Sequence, residues 1–187
     1  MGIIVDDLKA LGVIHDIFIS ERKELHETGL IEKSIKALQD KGFIYSGVLE
    51  PPKGMVPEDW EPREQLLFRS TAFGDDLDRP LKKSDGAYTY FAADVAYIYH
   101  KLSRGFNDMI LLIGADHAGY VKRMKAAVKA ISDGGATIDI LINQLVNLYE
   151  NGQQLKMSKR AGRYITTRDV IDELGKDILR FVMLTRK

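Results

Sequence analysis

Cysteine is absent from the 187-residue sequence, so disulfide bonds, thiolate catalysis and thiolate zinc sites are all excluded. Long apolar runs are also absent, since none approaches the roughly 18 residues that a membrane-spanning helix needs. The first seven residues carry two acids and no base, which is not the pattern of a secretory signal. Neither a GxxxxGK(S/T) phosphate loop nor a GxGxxG fingerprint occurs, and this argues against a nicotinamide-dependent enzyme. We therefore expect a soluble, cytoplasmic, globular protein with no membrane partner.

Net charge is also lacking, because 27 Lys and Arg residues balance 27 Asp and Glu residues, but the charges are unevenly distributed. Residues 1–120 hold 14 bases and 20 acids, whereas residues 121–187 hold 13 bases and 7 acids. A basic C-terminal third is typical of a protein that binds an anionic ligand. A solvated helix face gives the same pattern, so both interpretations stay open.

The first part of the chain predicts short helices joined by irregular segments. Apolar spacing and glycine positions favour one helix over 3–11 and another over 30–41, the second capped by Thr28. Alternating apolar residues predict a strand over 13–19, and a further strand and turn fall within 43–49.

Proline marks a linker, because four of the five prolines lie within residues 50–64 and regular structure should break there. The polar span 69–86 shows little periodicity, and we interpret it as long loops. It contains the carboxylates Asp75, Asp76 and Asp78, which lack the glycine and terminal glutamate of a calcium loop. We therefore predict that these carboxylates lie in a solvated loop.

From residue 87 the pattern becomes α/β. A strand–helix–strand order implies a right-handed crossover and a parallel sheet. The predicted elements are a short strand over 88–91, a helix with the apolar stripe 95–102, a buried strand over 109–113, a helix over 120–132 and a strand over 137–149.

The C-terminal part shows local turn and capping signals. Residues 150–153 have the composition of a hairpin turn. Thr166 with Asp169 resembles a capping box that opens a helix, which Gly175 ends, and a last helix is predicted over 177–184.

The sharpest motif is Lys156-Met157-Ser158-Lys159, which follows the hairpin signal. Two ammonium groups and a hydroxyl on a loop can stabilise the charge that develops on a leaving pyrophosphate. Lys156, Ser158 and Lys159 are therefore candidate catalytic residues. A solvated basic turn is the alternative interpretation.

A second constellation is the segment 114–120, with the sequence GADHAGY, which follows the apolar strand. Ligands of open α/β sheets bind at the carboxyl ends of strands, and glycine lets a ligand approach the backbone. Asp116 can accept ribose hydroxyls there, while His117 can face a substrate. Alternatively, Asp116 is an N-cap and His117 is a surface residue.

A third constellation pairs Tyr90 with Asp94. These residues share a helix face if the helix begins near Thr89. A carboxylate and a phenol on one wall suit a guanidinium or ammonium ligand. Alternatively, Asp94 is an acid that the helix dipole favours, and Tyr90 fills the core.

These motifs, taken in order, resemble the second half of the catalytic domain of bacterial arginyl-tRNA synthetases, which are class I aminoacyl-tRNA synthetases. The resemblance covers essentially the whole chain, and it is carried by the segments 60–65, 68–71, 73–76, 78–81, 83–86, 90–94, 114–117, 156–162, 175–177 and 180–181. It implies an α/β fold, the second half of a Rossmann-like nucleotide-binding catalytic domain with an α-rich insertion at its N-terminal side. Residues 1–86 would be that insertion, and residues 87–187 the second half, including the KMSK loop.

The resemblance also implies substrates and partners. Tyr90, Asp94 and His117 match positions that bind arginine, with Asp94 meeting its guanidinium group. The family activates L-arginine with ATP, releases pyrophosphate and then loads the arginine tRNA, tRNA(Arg). Magnesium would arrive with ATP, and no bound cofactor or metal site is expected in the chain.

The ATP site implied by the resemblance comprises Gly114, Asp116, Met157 and Lys159. Lys156, Ser158 and Lys159 are the catalytic residues of the class I loop signature. The sequence departs from a common family pattern at Ala118, where a second histidine often stands.

Several family features are absent from the sequence. It contains no HIGH-like signature, and the family's N-terminal tRNA-binding domain and C-terminal helical anticodon domain have no counterpart. We expect a fragment of an arginine–tRNA ligase that is inactive alone and exposes a sheet edge near 110–113. A non-catalytic relative that binds tRNA or a nucleotide is the alternative.

Overall fold

A computed structural model of the chain describes residues 2–49, 63–155 and 165–185. The chain divides into two compact units, one of residues 19–143 and one of residues 1–18 with 144–187. The helices are α1 (Gly2–Ala10), α2 (Leu30–Asp40), α3 (Tyr90–Ser103), α4 (Val121–Ser132), α5 (Thr167–Leu174) and α6 (Lys176–Thr185). The strands are β1 (Ile44–Gly47), β2 (Gln65–Phe68), β3 (Arg79–Pro80), β4 (Asp108–Gly114), β5 (Thr137–Asn143), β6 (Tyr149–Glu150) and β7 (Gln153–Gln154).

The larger unit contains a two-stranded parallel sheet. β4 and β5 pair in parallel, with Met109 opposite Ile138, and α4 lies between them in the chain. This confirms the predicted α/β pattern with a parallel sheet. β5 ends at Asn143, so the predicted strand over 137–149 is too long.

The core of this unit joins α2, α3 and α4 to the β4–β5 pair. The buried face of α4 is built largely from alanine, and small side chains let neighbouring helices approach closely. Leu38 of α2, Ile98 of α3 and Val128 of α4 are all buried in one continuous cluster. One core therefore holds α2, α3 and α4 together.

An antiparallel sheet of order β1–β2–β3 packs its middle strand into the same core. Leu67 and Phe68 of β2 are fully buried, and Phe68 pairs with Ile44 on one side and with Arg79 on the other. β1 confirms the predicted strand within 43–49. β2 was not predicted, because four residues beside a linker give too little pattern.

Asp75 corrects the predicted solvated loop. Its carboxylate is buried, with the residue only 8% exposed, and it accepts two hydrogen bonds of 2.7 Å from the Arg79 guanidinium. Ser70 Oγ donates a third bond of 2.6 Å. Burial alone would raise the pKa of Asp75, but these hydrogen bonds outweigh it and lower the pKa. The prediction holds for Asp76, which is exposed.

The predicted strand over 13–19 is wrong. These residues form neither helix nor strand. Ile17, which belongs to the alternating set, is 50% exposed, so the alternation of apolar residues does not bury one face. A strand needs a hydrogen-bonding partner, which alternation alone cannot supply.

Two helix starts differ from their predictions. Gly29, in a left-handed conformation, precedes α2, while Thr28 Oγ1 donates to the Glu24 carbonyl at 2.6 Å instead of capping. The predicted strand over 88–91 is wrong from Tyr90 onward, because α3 begins there.

Lys41 links two distant parts of the larger unit. Lys41 directly follows α2. Its ammonium group donates a hydrogen bond of 2.6 Å to the carbonyl of Ile131, in the last turn of α4. It also pairs with Asp133 at 2.8 Å. The carbonyls at the end of α4, which have no partner within the helix, are thus satisfied from elsewhere in the chain.

The smaller unit contains α1, the β6–β7 hairpin, α5 and α6. Arg168 of α5 pairs with Asp7 of α1 at 3.1 Å. The predicted hairpin turn and the capping box of Thr166 with Asp169 are both confirmed. Among the described helices, none has both the length and the apolar composition that crossing a bilayer requires.

Candidate functional site

A cavity of about 270 Å³ lies beside the first turns of α3. It is lined by the acids Glu21 and Asp94, the phenols Tyr90 and Tyr97, and the apolar residues Ile19, Leu25 and Ala93. Two carboxylates and two phenols without a basic side chain among the lining residues form an acidic pocket. Such a pocket suits a cationic group with an apolar stem.

The start of α3 positions the first pair of residues. Thr89 is the N-cap, and its Oγ1 accepts a hydrogen bond of 3.2 Å from the Ala92 backbone N–H. Tyr90 and Asp94 then lie four residues apart on one face of the helix. Both line the cavity, as the sequence predicts for a shared wall.

The alternative interpretations of this pair do not fit the structure. Tyr90 is 76% exposed and therefore does not fill the core. Asp94 lies beyond the first turn of α3, which contains no acidic residue. The helix dipole acts mainly within the first turn, so it does not account for an acid at this position.

Asp94 has an unusual electrostatic environment. Burial is the main cause that raises the pKa of Asp94 to about 6, and the charge of Glu21 raises it further. The charges of Arg123 and His117 act in the opposite direction. Because Asp94 loses its proton near neutral pH, a bound cation would strongly favour its ionised form.

Glu21 is a residue of this cavity that the sequence analysis missed. It begins the π-helical turn Glu21–His26, whose N-cap is Ser20. Leu25 anchors this turn because its side chain is buried in the core. The segment is so rich in charge that it resembles a solvated surface, and the single apolar Leu25 within it is the signal that could have revealed burial.

The strand-end constellation lies where β4 ends. Residues 115–120 form a 3₁₀ turn between β4 and α4. A Cβ on Gly114 would lie 2.5 Å from Asp116 Oδ1, so only glycine leaves room for the Asp116 carboxylate in this position. Asp116 caps neither the turn nor α4, which have Gly114 and Tyr120 at their N-cap positions.

A stack of side chains continues from this turn into α4. His117 Nε2 lies 3.5 Å from Asp116 Oδ2, and the His117 ring packs edge-on against Tyr120 at 5.4 Å. The Arg123 guanidinium lies over the Tyr120 ring, 4.4 Å from its centroid. The charges of His117 and Arg123 both act to lower the pKa of Asp94 in the acidic cavity.

The remaining predicted site residues, Lys156, Met157, Ser158 and Lys159, lie outside the described residues. The structure places Tyr90 and Asp94 on the walls of one cavity, and it places Gly114, Asp116 and His117 together at the strand end. Within the described ranges, no group of three or more His, Asp or Glu side chains is arranged to hold a metal ion.

A second cavity of about 340 Å³ lies between the C-terminal ends of α3 and α4. Its lining contains no ionisable acid or base apart from the phenol of Tyr99. It therefore lacks the charged groups that the first cavity offers to a polar substrate.

Comparison with known proteins identifies the protein family to which this fold and site belong. Residues 87–187 match the family model described as tRNA synthetases class I (I, L, M and V). The chain belongs to the class I tRNA synthetase family.

Similar curated proteins are described as ligases of the same amino acid, arginine. The chain is 63% identical to an arginine–tRNA ligase of Cereibacter sphaeroides over all 187 residues, which make up 32% of that relative. It is 57% identical over the same 187 residues to an arginine–tRNA ligase of Rhodospirillum rubrum, where it covers 31%. The chain thus spans about a third of the length of these curated relatives.

A solved structure gives the same answer. A protein from Campylobacter jejuni, described as an arginyl tRNA synthetase, superposes with a TM-score of 0.77 at 32% identity. The match covers 100% of this chain and 37% of that one. The resemblance to arginyl-tRNA synthetases that the motifs indicate is therefore confirmed.

Proposed function

We propose that this chain is part of an arginine–tRNA ligase, a cytoplasmic enzyme that activates L-arginine with ATP and transfers it to tRNA(Arg). The observation that carries the proposal is the acidic cavity with Tyr90, Asp94 and Glu21 on its walls. In this proposal residues 87–187 form the second half of a Rossmann-like catalytic domain. Residues 1–86 are largely an insertion on its N-terminal side.

The cavity recognises the guanidinium group of L-arginine. Guanidinium is planar, carries five N–H donors and pairs with carboxylates through two parallel hydrogen bonds. Asp94 is the half-buried acceptor, Glu21 supplies a second negative charge, and the Tyr90 phenol lies at the exposed edge. Leu25 and Ala93 contact the methylene stem of the substrate.

ATP, the second substrate, binds at the end of β4. Gly114 and Asp116 hold the ATP ribose, with the Asp116 carboxylate accepting hydrogen bonds from its hydroxyls. His117 lies between this position and the arginine cavity, because its charge acts on Asp94 and its ring approaches Asp116. The arrangement brings the carboxylate of the amino acid close to the phosphates of ATP.

Lys156, Ser158 and Lys159 stabilise pyrophosphate as it leaves, and Met157 belongs to the same ATP-binding segment. Their ammonium and hydroxyl groups bind the transition state more strongly than the ground state, which raises the rate of reaction. Magnesium enters with ATP and neutralises part of the phosphate charge.

The chain alone should not complete the reaction. The sequence holds no HIGH-like signature, so groups that orient ATP in class I synthetases must come from elsewhere. Losing half of the positioning groups of a site removes many kcal/mol of catalysis, on the order of 7–11 for full orientation.

The first test measures L-arginine binding to this chain by isothermal titration calorimetry at pH 8. We expect binding that Asp94→Asn weakens at least about 10-fold, since a charged hydrogen bond is lost in a partly buried site. Asp108→Asn is the matched control, because Asp108 is an exposed acid at the opposite end of β4. Equal affinity for the wild type and Asp94→Asn would refute the assignment of the cavity.

A second test measures tRNA arginylation by the chain alone and by the chain mixed with a separately produced N-terminal half of a relative. Activity confined to the mixture would support a divided active site. Activity of the chain alone would refute the dependence on absent groups.

A non-catalytic tRNA-binding role is the second candidate, favoured by the basic C-terminal third. Lys122, Lys125 and Lys129 project from the exposed face of α4. Binding through phosphate contacts weakens steeply with salt. This candidate predicts tRNA binding at low salt without any arginylation in the mixture.

A further inference from the structure

The turn that supplies Glu21 is a π-helix, and this has a geometric consequence. In an α-helix, residues three or four apart share a face, whereas a π-helical turn closes at a spacing of five. The Glu27 backbone N–H donates to the Arg22 carbonyl at 2.9 Å, which is the hydrogen bond of such a turn. Side chains five residues apart are therefore brought next to each other.

Two pairs of side chains use this spacing. His26 Nε2 lies 3.3 Å from Glu21 Oε1, and Arg22 Nε donates to Glu27 Oε1 at 3.0 Å. The cavity is lined by Glu21 but not by Arg22 or Glu27. One pair thus ends at the acidic cavity, and the other serves as an internal comparison.

Glu24, the other acid of the turn, already accepts a hydrogen bond from the backbone. Glu24 Oε2 accepts a hydrogen bond of 3.0 Å from the Ser20 backbone N–H, which fixes it at the start of the turn. Glu21 is therefore the carboxylate of this turn that faces the cavity, and His26 contacts one of its two oxygens.

We propose that His26 is a positioning residue, which holds the Glu21 carboxylate against the cavity so that the pocket selects a positively charged side chain. This inference rests on the proposed function, because it assigns a second carboxylate to the same arginine site. Glu21 and His26 are both substantially exposed, so without His26 the carboxylate would sample many rotamers. Ordering a flexible side chain upon binding costs affinity, and a pre-placed one avoids that cost.

The readout is selectivity between L-arginine and L-citrulline, its neutral counterpart of nearly equal shape. The 187-residue chain is titrated with each amino acid at pH 8, and the ratio of the two Kd values is compared among variants. We expect His26→Ala to reduce the ratio about 2- to 10-fold, as an unrestrained side chain predicts. His26→Gln, which keeps an N–H donor, should restore the ratio.

Glu27→Gln is the matched control, because it breaks the other five-residue pair on the same turn and should leave the ratio unchanged. Far-ultraviolet circular dichroism and thermal unfolding establish that each variant is folded. A general loosening of the turn would weaken both amino acids alike and would leave the ratio intact.

The outcomes separate the two proposals. If His26→Ala leaves the ratio unchanged while Glu21→Gln and Asp94→Asn reduce it, His26 does not position Glu21. If Glu21→Gln also has no effect, the second carboxylate plays no part and the inference fails, while Asp94 can still carry the function. If the wild type does not prefer arginine, the proposed function fails and this inference fails with it.

Discussion

The carboxylate of Asp75 and the guanidinium of Arg79 form a buried, two-point ion pair, with both hydrogen bonds at 2.7 Å. Asp75 lies just after the 3₁₀ turn Ser70–Phe73, against which α4 packs. The pair thus fixes a loop beneath α4, which carries Arg123 and begins directly after Tyr120. Its integrity should matter for the stability of the whole larger unit.

Asp75→Asn should destabilise the chain by about 3–5 kcal/mol, because it leaves the Arg79 charge unpaired in a buried site. Chemical denaturation followed by circular dichroism measures the change. Asp76→Asn is the control, since the exposed Asp76–Lys122 pair is expected to contribute about 0–1 kcal/mol. Equal effects of the two substitutions would contradict the importance of the buried pair.

The same pair predicts a loss of stability in acid. The pKa of Asp75 in the folded chain lies below the ordinary value of 3.8, so folding favours its ionised form. This contribution is fully present above pH 3.8 and is lost as the pH falls below that value toward the lowered pKa. The free energies of unfolding of the wild type and Asp75→Asn should therefore converge as the pH falls from about 5 to about 2.

Asp94 predicts the opposite dependence. Its pKa is raised from 3.8 to about 6 in the folded chain, so the ionised carboxyl destabilises the fold above pH 6. Asp94→Asn should therefore stabilise the chain by about 1–3 kcal/mol at pH 8, and the gain should fade as the pH falls toward 4. Thermal unfolding at both pH values measures this. If Asp94→Asn is less stable than the wild type at pH 8, the ionised Asp94 carboxyl does not destabilise the fold.

Arginine binding should also depend on pH through Asp94. The ionised carboxyl accepts the guanidinium, so affinity should fall as the pH drops through about 6, the raised pKa of Asp94. Glu21, His117 and Arg123 also act on this carboxyl, and all three are retained in Asp94→Asn. The dependence should be much flatter in that variant, as calorimetry across the range can establish.

Gly114→Ala should impair the strand end selectively. The new Cβ would displace the Asp116 carboxylate, which lies 2.5 Å from its position. We expect ATP binding to weaken about 10-fold, as for a lost hydrogen bond to a charged group, with L-arginine binding retained. Gly119→Ala is the matched control, because nothing lies within 4 Å of its Cβ position. Calorimetric titration with ATP distinguishes the two variants.

The β4–β5 sheet should promote association of the chain. Ile110 and Leu112 are each 65% exposed on β4, so the predicted buried strand is buried on one face alone. Apolar residues on an exposed strand favour contact with another chain. Leu112→Lys should reduce self-association in sedimentation experiments, whereas Lys125→Gln on α4 should not. A wild type that stays monomeric at high concentration would contradict this expectation.

Local signals in the sequence were sufficient for much of the fold. The apolar spacing of α3 and α4, and the capping box of Thr166 with Asp169, are complete within a few residues. The strand expected over 13–19 failed because a strand depends on a partner elsewhere in the chain.

The walls of the candidate cavity were predictable only in part. Tyr90 and Asp94 were found because α-helical spacing joins them, whereas Glu21 was missed because its turn is π-helical and lies far from α3 in the sequence. Burial of Asp75 was also missed, since it depends on packing that its own charged neighbours do not indicate.

The contact between Lys41 and the Ile131 carbonyl has a consequence for the dynamics of the chain. Residues some 90 positions apart share one hydrogen bond, so the end of α4 cannot keep its partner while α2 detaches. Amide hydrogens in the last turn of α4 should then exchange with solvent at the same rate as those in the last turn of α2. These two helix ends would open as a single cooperative unit, although a long stretch of sequence separates them.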